Sequence, residues 1–387
     1  MRIASVVGTR PQLIKAAALQ PELRARHHEI FVDTGQHWDD ALAGSFFREL
    51  GLARPDHSLD VGGGSHAEQT ATMLTRLEPI LLAERPDAVL VYGDTNSTLA
   101  GALTAAKLGI PVAHVEAGLR SFDRRMPEEL NRVVADHLAT WAFAPTPTAV
   151  ANLRAEGISR GVTLVGDLMQ DLAARIGVEV RDPAVLAEVE AGLAAGGVRV
   201  GIRPGAYLFA TIHRAENRSP AAVVAWVAML DLVATADRPV ILALHPGTAV
   251  ALSAAGLQPG PNVVIVGPRS YRASLALQMH AAAVITDSGG IQREAAWLGV
   301  PCLILRSSTE WPEMLAAPGG GSAGGGSVLV GLDRDRAAVE LERLAPSASA
   351  PAAARRRAAA FALAPAGAGE AIASALAAST AEPGSAP

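Results

Sequence analysis

Short apolar runs alternate with longer helical patterns along almost the whole chain, and this alternation limits the fold more than any other feature of the sequence. RIASVV, HEIFVD, DAVLVYG, PVAHVE, WAFAP and VTLVG form a first series, interleaved with helix candidates such as PQLIKAAALQPELRA, HAEQTATMLTRLEPILLAE and TNSTLAGALTAAKLG. A strand that is apolar on both faces and is followed by a helix belongs in a parallel sheet covered on both sides. After about residue 167 an Ala-rich helical stretch interrupts the series. YLFATIH, PVILALH, NVVIVG, AVITDS, PCLILR and SVLVG then restart it. The pattern predicts two α/β halves, and 387 residues suffice for two cores. The first is residues 1–167, completed by a C-terminal helix at 365–380 (GEAIASALAAS) that packs back on it; the second is residues 168–364. PGGGSAGGGS at 318–327 reads as a flexible glycine loop and STAEPGSAP as a disordered end.

Charge narrows the partners. Lys and Arg number 33 against 38 Asp and Glu, a net charge of -5, which speaks against nucleic acid or an anionic membrane as the main partner. No apolar run approaches the roughly 18 residues needed to span a bilayer. MRIASVVGTRP reads as a first strand rather than a signal peptide, so the expectation is a cytoplasmic chain with no membrane partner. The sequons NST (96–98) and NRS (217–219) are then coincidental. Cys302 is the single cysteine, so no disulfide framework or Cys-based metal site is available, and its setting in VPCLIL suggests a buried thiol. The histidines show no HxxxH or HxH spacing, HH at 27–28 reads as an exposed turn, and the D-x-D of LDRDRAAVE reads as a helix cap. Acid–base chemistry without metal or cofactor is expected.

The strand ends carry the chemistry. VVGTRP stops in Gly8, Thr9 and Arg10, VDTGQH in Gly35, Gln36 and His37, VYGDTN in Gly93 and Asp94, and AHVEAG in Glu116. In the second series ATIHRAEN stops in His213 and Arg214, ALHPGT in His245, and ITDSGG in Ser288, Gly289 and Gly290. Ligands of open parallel sheets lie beyond the carboxyl ends of the strands, so these endings predict a polar cleft between the halves. Ser288-Gly289-Gly290 before a helix suits a phosphate, which the free N–H groups and dipole of a helix start attract, with a plain capped loop as the alternative. Glu294, six residues on, is available to a ribose. GxGxxG and GxxxxGKS are both missing at these ends, which argues against NAD and against a P-loop. Arg10 and Lys15 in GTRPQLIK read either as an exposed helix start or as a charge pair suited to a diphosphate.

HVEAGLRSFDRRMPEELNR, residues 114–132, crowds ionisable groups around one loop. Glu116 closes a buried strand, Pro127 suits the first helical position, and Glu128 falls in that helix's first turn. Glu128, Asn131 and Arg132 stand at i, i+3 and i+4, hence on one face, with Glu116 and Asp94 arriving from neighbouring strands. Carboxylates placed close together push their pKa values apart and yield one acid and one base. A structural ion-pair cluster is the alternative.

With GTRPQLIK, VYGDTNSTLAGAL, HVEAGLRSFDRRMPEELNR, TIHRAEN and TDSGGIQREA in this order, the sequence resembles the non-hydrolysing UDP-N-acetylglucosamine 2-epimerases over residues 1 to about 315. The resemblance implies two Rossmann-like domains in a glycosyltransferase-B-type arrangement with an inter-domain cleft, and a homodimer. It implies an isomerase that interconverts UDP-GlcNAc and UDP-ManNAc for polysaccharide biosynthesis, by eliminating UDP to 2-acetamidoglucal and adding it back. Asp94, Glu116, Glu128 and His213 match the family's catalytic set. Arg10, Lys15, Arg132, Ser288, Gly289, Gly290 and Glu294 match positions that hold UDP or order the site. Departures bear on sugar specificity and regulation. QHWDDALA replaces QHRxMLDQ, Trp311 stands where many members have Arg, Ser274 where some have an aromatic, and Ala368 replaces an acid. RPQLIKA and GDLMQD look more like enzymes that epimerise UDP-2,3-diacetamido-2,3-dideoxyglucuronate, the alternative substrate. A glycosyltransferase of the same fold is the rival from another class.

Overall fold

The computed structural model describes residues 1–36, 47, 50–315, 326–360 and 366–378. His37 and the stretch after it, most of the glycine-rich loop and the STAEPGSAP end lie outside the described residues. The chain divides into two compact units, Met1–Leu172 with Pro365–Pro387, and Ala173–Ala364. The division falls inside the helix Leu168–Val180, a few residues beyond the expected position. The start of that helix is tied to the C-terminal helix: Asp171 accepts from the backbone N–H groups of Gly367 (2.9 Å) and Gly369 (3.0 Å).

The first unit contains one seven-stranded sheet. Its strands are β1 (Arg2–Val7), β2 (His28–Asp33), β3 (His57–Ser58), β4 (Ala88–Tyr92), β5 (Val112–Val115), β6 (Trp141–Ala144) and β7 (Val162–Leu164). They lie in the order β3-β2-β1-β4-β5-β6-β7, every neighbour parallel. The order reverses between β1 and β4, and doubly wound sheets take their ligands beyond the carboxyl ends of the strands at such a reversal. Val6, Val32, Val89 and Val91 meet Leu77 and Leu81 of the helix His66–Glu84 in the core. Only β3 escaped the sequence pattern, because two residues show no periodicity.

The second unit repeats the plan. β8 (Leu208–Ile212), β9 (Val240–Leu244), β10 (Val263–Val266), β11 (Ala283–Thr286), β12 (Cys302–Ile304) and β13 (Ser327–Leu329) form a parallel sheet in the order β10-β9-β8-β11-β12-β13. Here the reversal lies between β8 and β11. Trp226 is fully buried beneath this sheet with Leu208, Ile212 and Leu242. Cys302 is buried in β12, and desolvation pushes its thiol up to about 12.

Local sequence sets the helix starts. Pro127, Pro147, Pro183, Pro220 and Pro246 each open a helix, where a missing N–H costs nothing. Ser65 and Glu68 form a capping box, and Asp333, the first acid of the D-x-D, accepts from the N–H groups of Asp335 and Arg336. One expectation is corrected. His27 is no exposed turn residue but is buried beneath the C-terminal helix Ala368–Ala378, its Nε2 3.0 Å from the carbonyl of Ala373. Arg26 joins the same helix through Glu370 at 2.6 Å. Among the described residues, no helix is long and apolar enough to cross a membrane.

Candidate active site

The turns after β1 and β4 are locked together by one buried side chain. Gln12 Oε1 accepts from the N–H groups of Gly8 (2.9 Å) and Thr9 (3.2 Å), while its Nε2 donates to the Tyr92 carbonyl (2.8 Å) and to Thr98 Oγ1 (3.0 Å). Residue 8 has to be glycine, since a Cβ there would lie 1.9 Å from Thr34 Oγ1 and 2.3 Å from Ser97 Oγ. The crevice of the first unit therefore has a rigid floor.

Two carboxylates rise from it, each beside its own cation. Asp94 follows β4, and its carboxylate pairs with Arg132 while its backbone carbonyl accepts from Asn131 Nδ2 at 3.0 Å. Glu116 follows β5 in a left-handed conformation (φ 68°), and its carboxylate pairs with Lys15. Such a backbone is costly for a residue with a Cβ and persists only where its surroundings hold it. Gly93, also left-handed (φ 64°), leaves room for both partners: a Cβ there would stand 3.1 Å from Lys15 Nζ and 3.5 Å from Glu116 Oε2. The sequence suggested carboxylates facing one another. The structure instead gives Asp94 and Glu116 separate counter-ions, because Lys15 and Arg132 reach in from two different helices.

Glu128 opens the helix Pro127–Leu138 and is exposed, on the face that turns Asn131 and Arg132 to Asp94. Its neighbour Glu129, missed in the sequence, is the buried acid. It accepts from Ser121 N–H (2.9 Å), Ser121 Oγ (2.9 Å) and Phe122 N–H (3.0 Å), and pairs with Arg132 NH1 at 2.8 Å. A run of two adjacent glutamates gives no sign of which one turns inward. Arg10 is exposed at the helix start, whereas Lys15 is buried against Glu116. Five residues on a helix place them on different faces.

In the second unit the ends of β8 and β11 meet across the reversal. Asp287, fully buried, lies 2.9 Å from His213 Nδ1 and accepts from the N–H groups of His213 (3.1 Å) and Arg214 (2.9 Å) and from Asn217 Nδ2 (2.8 Å). Burial alone would raise its carboxyl, but His213, Asn217 and the Arg214 N–H hold it down at about 2. With Nδ1 engaged, Nε2 is the nitrogen His213 leaves for a ligand. Ser288 caps the helix Gly289–Trp297, its Oγ accepting from Ile291 N–H, and Ser288, Gly289 and Gly290 are all partly exposed. Glu294 is buried and accepts from Gln278 Nε2 at 2.6 Å. Arg218 donates to the His213 carbonyl. Arg306 grips Glu310 by two bonds of 2.7 and 2.8 Å, and although burial pushes the Glu310 carboxyl up, this grip holds it at about 2. Trp311 packs its ring 4.0 Å from the Arg293 guanidinium, a cation–π contact beside Gly289.

Asn96 and Asn217 of the two sequons are both buried and hydrogen-bonded, to Gln69 Oε1 (2.9 Å) and to Asp287. Among the described residues no group of three or more His, Cys, Asp or Glu is placed to hold a metal ion.

Comparison with known proteins places this geometry. The sequence model of a family described as UDP-N-acetylglucosamine 2-epimerase matches residues 21–377. A UDP-N-acetylglucosamine 2-epimerase homolog of Methanococcus maripaludis is 40% identical over 354 residues, covering 90% of this chain and 94% of its own. The UDP-2,3-diacetamido-2,3-dideoxy-D-glucuronate 2-epimerase of Pseudomonas aeruginosa is 40% identical over 341 residues, covering 87% and 90%. Among solved structures, Methanocaldococcus jannaschii UDP-GlcNAc 2-epimerase in complex with UDP-GlcNAc and UDP is similar with a TM-score of 0.80 and 35% identity, covering 97% of this chain and 99% of that one.

Proposed function

The chain belongs to the UDP-N-acetylglucosamine 2-epimerase family, and from that premise we propose that it interconverts UDP-GlcNAc and UDP-ManNAc by inverting C2. The chemical difficulty is that no carbonyl adjoins C2 to acidify its proton. Elimination avoids a free carbanion: a base takes the C2 proton, the C2–H electron pair becomes the C1=C2 bond of 2-acetamidoglucal, and UDP departs with the C1–O pair. Re-addition of UDP with protonation from the opposite face completes the inversion. The scheme needs proton-transfer groups able to serve both faces and a hold on the departing diphosphate.

The observation that carries the reading is the placement of Asp94 and Glu116 on adjacent strand ends, each with its own cation, beside the crevice where a doubly wound sheet takes ligands. Asp94, Glu116 and exposed Glu128 are the proton-transfer groups in this reading. Lys15 and Arg132 hold the first two in place. His213, oriented by Asp287 through Nδ1, presents Nε2 to the departing diphosphate and donates to it when the ring is doubly protonated. The start of the helix at Ser288, Gly289 and Gly290 receives a phosphate, Arg10 adds a cation, and buried Glu294 orders the nucleotide side. A cytoplasmic homodimer supplying polysaccharide synthesis completes the proposal, and light scattering of the purified protein checks the dimer.

Incubation with UDP-GlcNAc alone, followed by separation of the products, tests the reaction. UDP-ManNAc appears and approaches a fixed ratio, without stoichiometric free UDP. Free UDP together with ManNAc would mean hydrolysis and contradict the proposal. A second reading, with UDP-2,3-diacetamido-2,3-dideoxyglucuronate as substrate, is favoured by the 40% identity to the Pseudomonas aeruginosa enzyme. Turnover of that sugar with none of UDP-GlcNAc would establish it instead.

A further inference from the structure

His114 lies in β5, two residues before Glu116, fully buried and unused by the reaction as described. Both of its ring nitrogens face acceptors. Nε2 is 2.7 Å from the carbonyl oxygen of Gly93, an atom with no proton to give, and Nδ1 is 2.7 Å from Asp136 Oδ1. The other oxygen of Asp136 accepts from Arg120 NH1 at 2.7 Å and from the Gly118 N–H at 3.1 Å. Arg120 in turn closes on Glu156 by two bonds of 2.7 Å. Burial pushes the Asp136 carboxyl up, but His114 and Arg120 outweigh it and hold it below the ordinary carboxylate value. Arg120 and the Gly118 N–H already engage Asp136 as an acceptor, and the Gly93 carbonyl can only accept, so each ring nitrogen faces a group that takes a hydrogen bond.

We propose that His114 carries protons on both ring nitrogens and serves as a positioning residue for the proton-transfer groups. This deepens the epimerase reading and rests on it for its kinetic consequence. His114 and Arg120 supply two positive charges, Asp136 and Glu156 two negative ones, so the group is neutral in sum although three of its four members are buried. A buried set of this kind is tolerated only when every member is satisfied. From β4 the ring meets the Gly93 carbonyl, and from the helix Pro127–Leu138 it meets Asp136.

Its position explains its use. The Gly93 carbonyl belongs to the peptide that leads into Asp94, so a fixed N–H on that oxygen sets the plane from which the Asp94 side chain departs. Asp136 belongs to the helix that carries Glu128, Asn131 and Arg132. One ring therefore couples β4, β5 and this helix, the three elements that present Asp94, Glu116 and Glu128. Small displacements of reacting groups are expensive, since about 1 Å can cost roughly 100-fold in rate.

Nitrogen NMR of full-length protein labelled with 15N-histidine tests the protonation directly, with His114 assigned by backbone-to-ring correlations. Both ring nitrogens are expected to show imidazolium shifts in the buffer used for activity, with one N–H toward each acceptor. A neutral tautomer, with one ring nitrogen unprotonated in that buffer, would overturn the proposal, and this arm uses no substrate, so it stands apart from the fate of the epimerase reading. For the positioning role, His114→Gln keeps a donor toward Gly93 and removes the charge. Its kcat falls by roughly 10- to 100-fold with KM within about twofold. Asp136→Asn does the same, and the double variant is no slower than the slower single. Should His114→Gln fail to fold, Asp136→Asn carries the kinetic arm. Unchanged kcat in a folded variant would refute the positioning role.

Discussion

Asp287 holds His213 twice, by the ring Nδ1 at 2.9 Å and by the backbone N–H at 3.1 Å, so that side chain and strand end are fixed by one buried carboxylate. Removal of that charge has two separable effects. Asp287→Asn keeps one acceptor oxygen but loses the charge that holds His213 in place, and turnover falls by roughly 10²-fold or more. Stability changes with pH as well. The folded carboxyl is depressed to about 2, below its unfolded value, so its contribution is present at neutral pH and is lost as pH falls toward 2. Thermal unfolding of wild type and Asp287→Asn should differ by about 2 kcal/mol at pH 7, with the gap closing toward pH 2.

Asp33, at the end of β2, has the opposite sign. It is buried, and desolvation raises its carboxyl to about 6 despite a hydrogen bond from the Gly35 N–H, with the nearby Asp60 charge adding to the rise. A carboxyl raised in the folded state favours folding when protonated and opposes it once pH passes its folded value. Asp33→Asn keeps the acceptor and removes the buried charge. It should be more stable than wild type by roughly 3 kcal/mol at pH 8, and equal to it at about pH 2.5, below both carboxyl values, where both states of the wild type are protonated. Urea melts at the two pH values measure this directly.

Gly93 tests the packing of the site without removing an ionisable group. Alanine there would adopt φ 64° and place a Cβ 3.1 Å from Lys15 Nζ. Gly93→Ala should lose about 1–3 kcal/mol in denaturant unfolding. Its kcat should fall by roughly 10-fold or more, because Lys15 and Glu116 must move apart.

The strands were legible because nearly every one is a run of apolar residues ending in glycine or an ionisable residue, a pattern that parallel sheets impose; β3, at two residues, is too short to carry it. Strand ends also gave the neighbourhood of the site, since sheet order brings β1 to β4 and β8 to β11. Pairings between distant side chains were not legible. Lys15 and Glu116 are 101 positions apart, and Arg132 and Asp94 are 38 apart, so nothing local joins them. Glu129 rather than Glu128 turned inward because Ser121 and Phe122 offer it three donors. Asp287 stood in plain view before Ser288, but its role depends on Asn217, which the sequence offers only as part of a sequon.

The account's central claim is that carboxylates on the first unit's strand ends exchange the hydrogen at C2 while UDP leaves and returns. Proton NMR of UDP-GlcNAc incubated in D2O measures that exchange. Wild type should place solvent deuterium at C2 of both epimers. Asp94→Asn, Glu116→Gln and Glu128→Gln should each exchange roughly 10²-fold more slowly or worse, while still binding UDP. Epimerisation without deuterium at C2, or exchange at the wild-type rate in all three variants, would contradict it.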